Sequence, residues 1–571
     1  MTDKRELIKL ISSQQLMEYT REISKEVRLS GSLEEKSSFE YAQSILTKLG
    51  YQTSLYYRKA LISLPESSDL TIGGHFFDSI THSMSVSTDK EGLEADLVYI
   101  GDEEYESCSS IKGKAVLING LATPGAVQTA QRNGAVAAIF INAEYTHEMI
   151  VSTVWGNPSL EDIDMYPKIS VASVTYNDGQ KIIEMLSNSE SNAILCLKTS
   201  VSTEWKDIPT LIADYTFNPE TKDFLLFSGH IDSWHYGAMD NGTADATILE
   251  CARVLQQGSP KFKRNIRLAF WSGHSHGRYA GSALYADENF EELYDHCLLH
   301  LNIDSVGGIN STVLTAGNTM AETKQLIGNS VKLVANQEFE GSRFGRAGDQ
   351  SFWGAGIPSA LMGLSEQEPV DTPAMRAFSK LFGGGKGGGF GWWWHTTEDT
   401  LDKIDPELLK RDCKIYLSIV YDFCSSDIIP IQQTAALKEI ISILERYKQQ
   451  YDFKDLLNTT FLRLEKLEKL TIFIESKSQD VSSSSRDIIN EWTKQMSRSL
   501  VQINYVDKDI FTHDSAISQG PVPSIANILS RKNLNEVDSN IIHTTLQRKI
   551  NKINFSLKEL LRISENTSKL I

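Results

Sequence analysis

The sequence predicts an α/β core with a mostly parallel sheet, a β-rich insert and a C-terminal helical domain. Apolar, strand-like runs alternate with helical patterns through the middle of the chain, which is typical of a parallel sheet covered by helices. A separate group of glycine-bounded apolar runs precedes them, and long apolar stripes at helical spacing follow Pro430. A chain of 571 residues has room for roughly three to four such units.

These patterns divide the chain into four segments. Residues 1–91 form the N-terminal part of the core, and residues 92–203 form the insert. Residues 204–429 form the main part of the core, and residues 430–571 form the helical domain. The core is therefore expected to be built from two stretches of chain that the insert separates.

Each segment has its own signals. In the N-terminal segment, Leu7, Leu10, Ile11 and Leu16 recur at roughly helical spacing, and a short strand-like run covers 51–57. The insert combines three strand-like runs with a helix that ends at an Asn-Gly stop signal. The runs are 96–100, 115–118 and 136–141, and the helix is 126–134.

In the core, three apolar runs are predicted strands, and one amphipathic stretch between them is a predicted helix. The strands are 224–227, 266–271 and 298–303, and the helix is 243–255. The C-terminal segment carries two long apolar stripes, 457–474 and 542–560, with charged residues between the apolar positions. Such stripes predict helices that pack on each other or on a partner.

The composition excludes several classes of protein. The chain has 74 acidic against 56 basic residues, a net charge of −18, so we expect neither a nucleic-acid partner nor a membrane surface as partner. No apolar run approaches the ~20 residues of a membrane span, and the N-terminus is charged throughout. The six cysteines are sparse and form no C-x-x-C pair. We therefore expect a cytoplasmic location.

Residues able to bind a metal follow the predicted strands. His230 and Asp232 come directly after the first strand, Asp240 lies in the next turn, Asp304 follows the third strand, and His395 lies in a late loop. Ligands gather at the carboxyl ends of parallel strands, so these side chains should converge. Two imidazoles with carboxylates suit a borderline divalent ion such as zinc. Asp232 is placed to accept the second ring N–H of a ligand histidine.

The same motifs occur in one family in the same order. The segments FSGHIDSW, GAMDNGT, RLAFWSG, GSALYAD, NIDSVGG, AGIPSALM and HTTEDTLDKID resemble the M28 metallo-exopeptidases. The resemblance is to the branch with a protease-associated insert and a C-terminal helical domain, which includes glutamate carboxypeptidase and transferrin receptor. It implies a divalent metal, zinc above all, one or two ions per chain, a peptide or small amide as substrate, and a homodimer formed through the helical domain.

The resemblance also assigns residues. It implies that His230, Asp240, Asp304 and His395 are metal ligands, that Asp240 bridges two ions, and that Asp232 orients a ligand histidine. In active relatives, two glutamates follow the strand that here ends Phe-Trp-Ser-Gly; the first is the general base and the second a ligand. This chain has His274 and Ser275 at those places.

The loss of both glutamates leaves the chemistry open. Serine replaces a carboxylate poorly as a ligand, but His274 or His276 offers a nitrogen donor, and a neutral imidazole can act as a base near pH 7. On an extended segment, residues two apart point to the same side, so both rings could face the site. The chain is then a rebuilt hydrolase, a mononuclear enzyme acting on a non-peptide small molecule, or a catalytically silent binding or scaffold protein.

The residues around this position are candidates for substrate contact. Trp394 stands beside His395, where the glutamate carboxypeptidase relatives have a tyrosine that helps to stabilise the oxyanion. Its indole offers one hydrogen-bond donor or a hydrophobic wall. Arg278, Arg346 and Asp349 are further candidates to lie near the pocket.

Overall fold

The computed structural model describes residues 3–101, 111–188, 193–361, 363–372, 376, 389–453, 455–478, 482–531 and 537–571. The strands are β1 Gln52–Ile72, β2 His75–Asp78, β3 Ile80–Thr81, β4 Leu93–Gly101, β5 Ala115–Asn119, β6 Ala137–Ile141, β7 Ser170–Val174, β8 Ile194–Tyr215, β9 Phe224–His230, β10 Asn265–Trp271, β11 Cys297–Asn302 and β12 Ser359–Ala360. The helices are α1 Lys4–Lys9, α2 Ser13–Ile23, α3 Leu33–Lys48, α4 Pro124–Arg132, α5 Tyr176–Asn188, α6 Ala244–Gly258, α7 Ala280–Glu288, α8 Phe290–His296, α9 Lys324–Ala335, α10 Pro406–Ser425, α11 Gln433–Gln450, α12 Asn458–Lys477, α13 Ser483–Tyr505, α14 Pro523–Leu529 and α15 Ser539–Leu570.

The core sheet is mostly parallel, as predicted. Strands β9, β10, β11 and β12 pair in parallel, and β8 joins β10 in antiparallel orientation. Every residue of β9 and β11 is buried. Continuous apolar strands are expected where helices cover both faces of a sheet, and this explains why these strands lack a polar–apolar alternation.

The insert has its own parallel strands, which continue the same path of hydrogen-bonded neighbours. Strands β4, β5, β6 and β7 are parallel, and β4 pairs with the long strand β8. Strand β1 pairs antiparallel with β8 over nearly its whole length. Because these two long strands belong to both regions, the insert is connected to the core by continuous sheet rather than by a flexible linker.

The length of β1 differs from the sequence prediction. The predicted run ends at Tyr57, but the strand continues to Ile72. Residues 63–69 contain serine, proline and acidic residues, which locally favour a turn. Pairing with β8 overrides this preference, and the register shifts between Pro65 and Ser67, where the proline lacks an N–H for the ladder.

The C-terminal helices form a separate hydrophobic cluster. Its buried members include Leu464 and Leu467 of α12, Trp492 of α13 and Leu557 of α15. This agrees with the predicted helical domain after Pro430. Within the described ranges, no helix has both the length and the hydrophobicity needed to cross a lipid bilayer.

Candidate metal centre

Three of the predicted ligands converge at the carboxyl edge of the core sheet. His230 ends β9, and Asp304 follows β11, its neighbour in the sheet. The Nε2 atom of His230 lies 3.3 Å from Asp240 Oδ1 and 3.7 Å from Asp304 Oδ2. The Nδ1–H of His230 donates to the main-chain oxygen of Asp232 at 2.9 Å. This bond leaves Nε2 of His230 to face the two carboxylates.

Asp240 connects this group to the fourth predicted ligand. Its Oδ2 atom lies 3.0 Å from Nε2 of His395, while Oδ1 faces His230. The Nδ1–H of His395 donates to the main-chain oxygen of Glu148 at 2.7 Å. Both histidines therefore present Nε2 to one carboxylate, an arrangement in which hydrogen bonds to the other ring nitrogen fix the tautomer.

His274 also reaches the centre. Its ligand nitrogen and the ligand atoms of His230 and Asp304 all lie within 4.8 Å of one another. Its Nδ1–H donates to Oδ2 of Asp349 at 2.8 Å, and Asp349 is buried. The rings of His274 and His230 stack with centroids 3.7 Å apart. The histidine that replaces the family's first glutamate thus joins His230 and Asp304.

His276 lies elsewhere, and the segment 273–279 is a turn rather than the expected extended segment. Positive φ angles at Gly273, Arg278 and Tyr279 bend the chain, so residues two apart do not share a side. The Nδ1 atom of His276 lies 2.9 Å from Ser30 Oγ, and its ring packs against Trp234. Burial lowers the pKa of His276 to about 4.

Asp232 acts on this turn more than on His230. Its carboxylate accepts hydrogen bonds from the main-chain N–H groups of His274 at 3.3 Å and Ser275 at 2.9 Å, and from Ser30 Oγ at 2.6 Å. Its nearest carboxylate oxygen is 3.6 Å from Nδ1 of His230. The orienting bond to His230 therefore comes from the backbone of Asp232, whereas its side chain positions the His274–Ser275 backbone.

The electrostatics of the group suit a cation. Burial opposes the charge on His230, but contacts with Asp232, Asp240 and Asp304 raise its pKa well above the usual range. Burial likewise opposes the charge on Asp240, but contacts with His230 and His395 hold its pKa well below the usual range. Nε2 of His230 is buried and faces Asp240 Oδ1 at 3.3 Å, but makes no well-directed hydrogen bond to a described residue. Together, two carboxylates and up to three imidazole nitrogens form a donor set that fits zinc.

Two buried residues that the sequence did not indicate hold the loops of the centre. Arg28 donates to the main-chain oxygens of Ile231 at 2.7 Å, Tyr236 at 2.7 Å and Gly237 at 3.1 Å. Asp399 accepts from the N–H groups of Met239 and Asp240, both at 2.9 Å. Asp399 lies within the HTTEDT motif, which could have indicated its role, whereas no local sequence pattern marks Arg28.

One loop of the insert packs directly on the loop that carries His395. Tyr145 stacks on Trp392 with ring centroids 4.8 Å apart, and His147 Nδ1 donates to the main-chain oxygen of Trp394 at 2.6 Å. The N–H of Glu148 donates to the main-chain oxygen of His395 at 2.9 Å. The insert therefore forms part of the wall of the centre.

Within the part of the chain that the structure describes, the carboxylate of Glu148 has no hydrogen-bond partner. Its Oε2 atom is buried and unpaired, and Oε1 lies 3.8 Å from Nε2 of His235. Burial raises the pKa of Glu148 to about 8. Burial and the proximity of His395 lower the pKa of His235 to about 4.

The predicted substrate residues occupy different settings. The indole of Trp394 stacks on the ring of His395 with centroids 3.4 Å apart. The guanidinium of Arg278 donates to the main-chain oxygen of Ile150. That of Arg346 donates to the main-chain oxygen of Asp514 at 2.8 Å and lies over the ring of Trp155. Trp394 thus borders the centre, while both arginines make contacts that join regions of the fold.

Comparison with known proteins agrees with this geometry. Residues 211–420 match the family model for peptidase family M28, and residues 93–182 match the PA domain. The chain is 24% identical over 450 residues to a probable leucine aminopeptidase 2 of Aspergillus fumigatus, covering 75% of this chain and 86% of that protein. It is 26% identical over 215 residues to carboxypeptidase Q of Xenopus laevis, covering 35% of this chain and 45% of the relative.

A solved structure shares the fold. A zinc aminopeptidase from Bacillus subtilis superposes with a TM-score of 0.54 and 22% sequence identity, covering 73% of this chain and 96% of that one. The family match spans the strands and loops that carry His230, Asp240, Asp304 and His395, and the PA match spans most of the insert. The chain therefore contains a peptidase family M28 domain over residues 211–420 and a PA domain over residues 93–182.

Proposed function

We propose that this chain is a metal-dependent hydrolase of the exopeptidase type that cleaves an amide bond in a peptide or small amide. The observation that carries the proposal is the convergence of ligand atoms from His230, His274 and Asp304 within 4.8 Å, at the strand ends of an M28 domain. A bound zinc ion supplies Lewis acidity, which polarises the amide carbonyl and makes water a stronger nucleophile near pH 7.

The residues of the chain supply the rest. Nδ1 hydrogen bonds hold the rings of His230, His274 and His395, so that each keeps its Nε2 atom for the centre. The buried carboxylate of Asp232 holds the backbone of the turn that carries His274. The stacked indole of Trp394 covers one face of His395 and excludes water from that side.

We further propose one firmly bound ion. His230, His274 and Asp304 share one position with Asp240 Oδ1 nearby, whereas the second position retains only Asp240 Oδ2 and His395 from the inherited set. Ser275 replaces the family's carboxylate there, and a neutral hydroxyl binds zinc weakly.

Metal analysis tests this stoichiometry. Protein purified without chelator and dialysed against zinc is expected to hold about one ion per chain and to lose its hydrolytic activity with a chelator. Two ions per chain would contradict the mononuclear proposal and favour a rebuilt binuclear peptidase. If no metal binds even after reconstitution, the enzyme proposal fails and the silent binding or scaffold alternative is favoured.

The substrate class is tested on the same zinc-loaded protein. We expect hydrolysis of dipeptides or of aminoacyl p-nitroanilides. Zinc-loaded protein that hydrolyses non-peptide amides but none of these substrates would instead support the mononuclear enzyme with a small-molecule substrate.

Asp349 is expected to act through His274. Asp349→Asn replaces the carboxylate by a carboxamide of the same shape. This removes the negative charge that orients the imidazole of His274, so zinc affinity should fall about 10- to 100-fold. Chelator competition measures this affinity. Asp287→Asn, at an exposed aspartate that contacts His513, is the matched control and should leave it unchanged. An Asp349→Asn protein with wild-type zinc affinity would refute the role of Asp349.

We also propose that the helical domain forms a homodimer. Large apolar side chains lie exposed on its helices, with Leu462 69% and Phe473 43% exposed on α12 and Phe555 67% exposed on α15. Light scattering on the full chain should report twice the mass of one chain. A monomer at micromolar concentration would contradict this proposal.

A further inference from the structure

We infer that the carboxylate of Glu148 binds the α-ammonium group of the substrate, so that residues are removed from the amino terminus. This inference rests on the proposed hydrolase function and specifies its substrate. Sequence motifs leave the direction of cleavage undecided, and the relatives include both an aminopeptidase and a carboxypeptidase.

The described hydrogen bonds of Glu148 do not require a carboxylate side chain. The two contacts that tie this residue to His395 use its main-chain N–H and oxygen, which any residue except proline supplies. Its carboxylate makes no hydrogen bond to a described residue, and Nε2 of His235 lies 3.8 Å from Oε1. A carboxylate with one buried, unpartnered oxygen is unfavourable by itself, and a cationic ligand would remove that penalty.

The carboxylate of Glu148 lies close enough to the metal centre to contact the α-amino group of a substrate whose first amide bond is held there. The main chain of Glu148 is hydrogen-bonded to His395, so the carboxylate lies within one side-chain length of a predicted metal ligand. His235, beside it, follows Trp234, whose ring lies 5.6 Å from the ring of His395. A substrate held at the metal centre would thus present its first residue to this wall.

The charge balance favours an ammonium over a carboxylate. Nε2 of His235 lies 3.8 Å from Oε1 of Glu148, which is too far for a hydrogen bond that would compensate an anion there. An ammonium group also brings three donors, which matches a carboxylate whose oxygens have no hydrogen-bond partner among the described residues.

Binding of small probes to the zinc-loaded full chain tests the inference without turnover. Alaninamide carries the free α-ammonium, N-acetylalaninamide lacks it, and N-acetyllysinamide carries an ammonium only on its side chain. Titration calorimetry should show alaninamide binding at least tenfold more tightly than either acetylated probe. Glu148→Gln should abolish this preference, whereas Glu144→Gln, at an exposed glutamate of the same loop, should retain it.

The outcomes separate the inference from the proposed function. Equal binding of alaninamide and N-acetylalaninamide, or a preference that survives Glu148→Gln, would overturn the inference. A Glu148-dependent preference for N-acetyllysinamide would overturn the α-amino assignment. If alaninamide is preferred through Glu148 but no amide is hydrolysed, the inference holds and the hydrolase proposal fails.

Discussion

The substitution His274→Ala is expected to abolish hydrolysis and to release most of the zinc. It removes one of the three groups whose ligand atoms lie within 4.8 Å, in a chain that has already lost the family's two glutamates. As ligand or as base, a residue in this position contributes on the order of 10²–10⁴-fold to the rate. Zinc content and turnover are both measured, because a lost ligand lowers both, whereas a lost base lowers turnover alone.

An exposed histidine provides the control for this experiment. His543→Ala, on α15, removes an imidazole far along the chain from the centre and should retain zinc and activity. His274→Gln should not restore function, since an amide is a poor zinc ligand and no base. Unchanged activity in His274→Ala would show that His274 is neither ligand nor base.

Replacing Arg28 by methionine is expected to cause the largest loss of stability. Methionine fills a similar volume but leaves the main-chain oxygens of Ile231 and Tyr236 without their donor, whereas that of Gly237 still accepts from the N–H of Gly242 at 3.0 Å. Each unsatisfied buried group costs about 1–3 kcal/mol, so the loss of two should lower the free energy of unfolding by at least about 2 kcal/mol. Urea unfolding followed by circular dichroism measures the change.

The control is Arg21→Met on α2, where the side chain is exposed and a change within about 0.5 kcal/mol is expected. Arg28→Lys should recover only part of the stability, because a single ammonium cannot replace a guanidinium that spans three acceptors. A loss below about 1 kcal/mol in Arg28→Met would show that water or a shifted backbone satisfies these oxygens.

The sequence predicted the elements of the core well, because burial on both faces leaves an unambiguous mark. Continuous apolar runs predicted β9, β10 and β11, and the residues after those strands predicted where metal-binding groups meet. This succeeded because the carboxyl ends of parallel strands necessarily meet at one edge. The length of β1 was not predictable, because its polar half is a strand only through pairing with β8.

The metal centre, too, was predictable from the sequence only in part. His230, Asp240, Asp304 and His395 were predicted from motifs, and the structure brings them together. The turn at His274 was expected to be extended, and that expectation was wrong because positive φ angles bend it. Local sequence patterns do not report such a bend where non-glycine residues such as Arg278 and Tyr279 adopt it.

The sequence alone therefore indicated an M28 domain, the order of the metal-binding residues along the chain and the replacement of the paired glutamates by His274 and Ser275. Only the tertiary structure decided what supports them. Asp349 is 75 residues from His274, Arg28 is 203 from Ile231, and Glu148 is 247 from His395. Contacts over such separations depend on how the insert and the N-terminal segment pack on the core, and no periodicity or motif within a single stretch of chain encodes that packing.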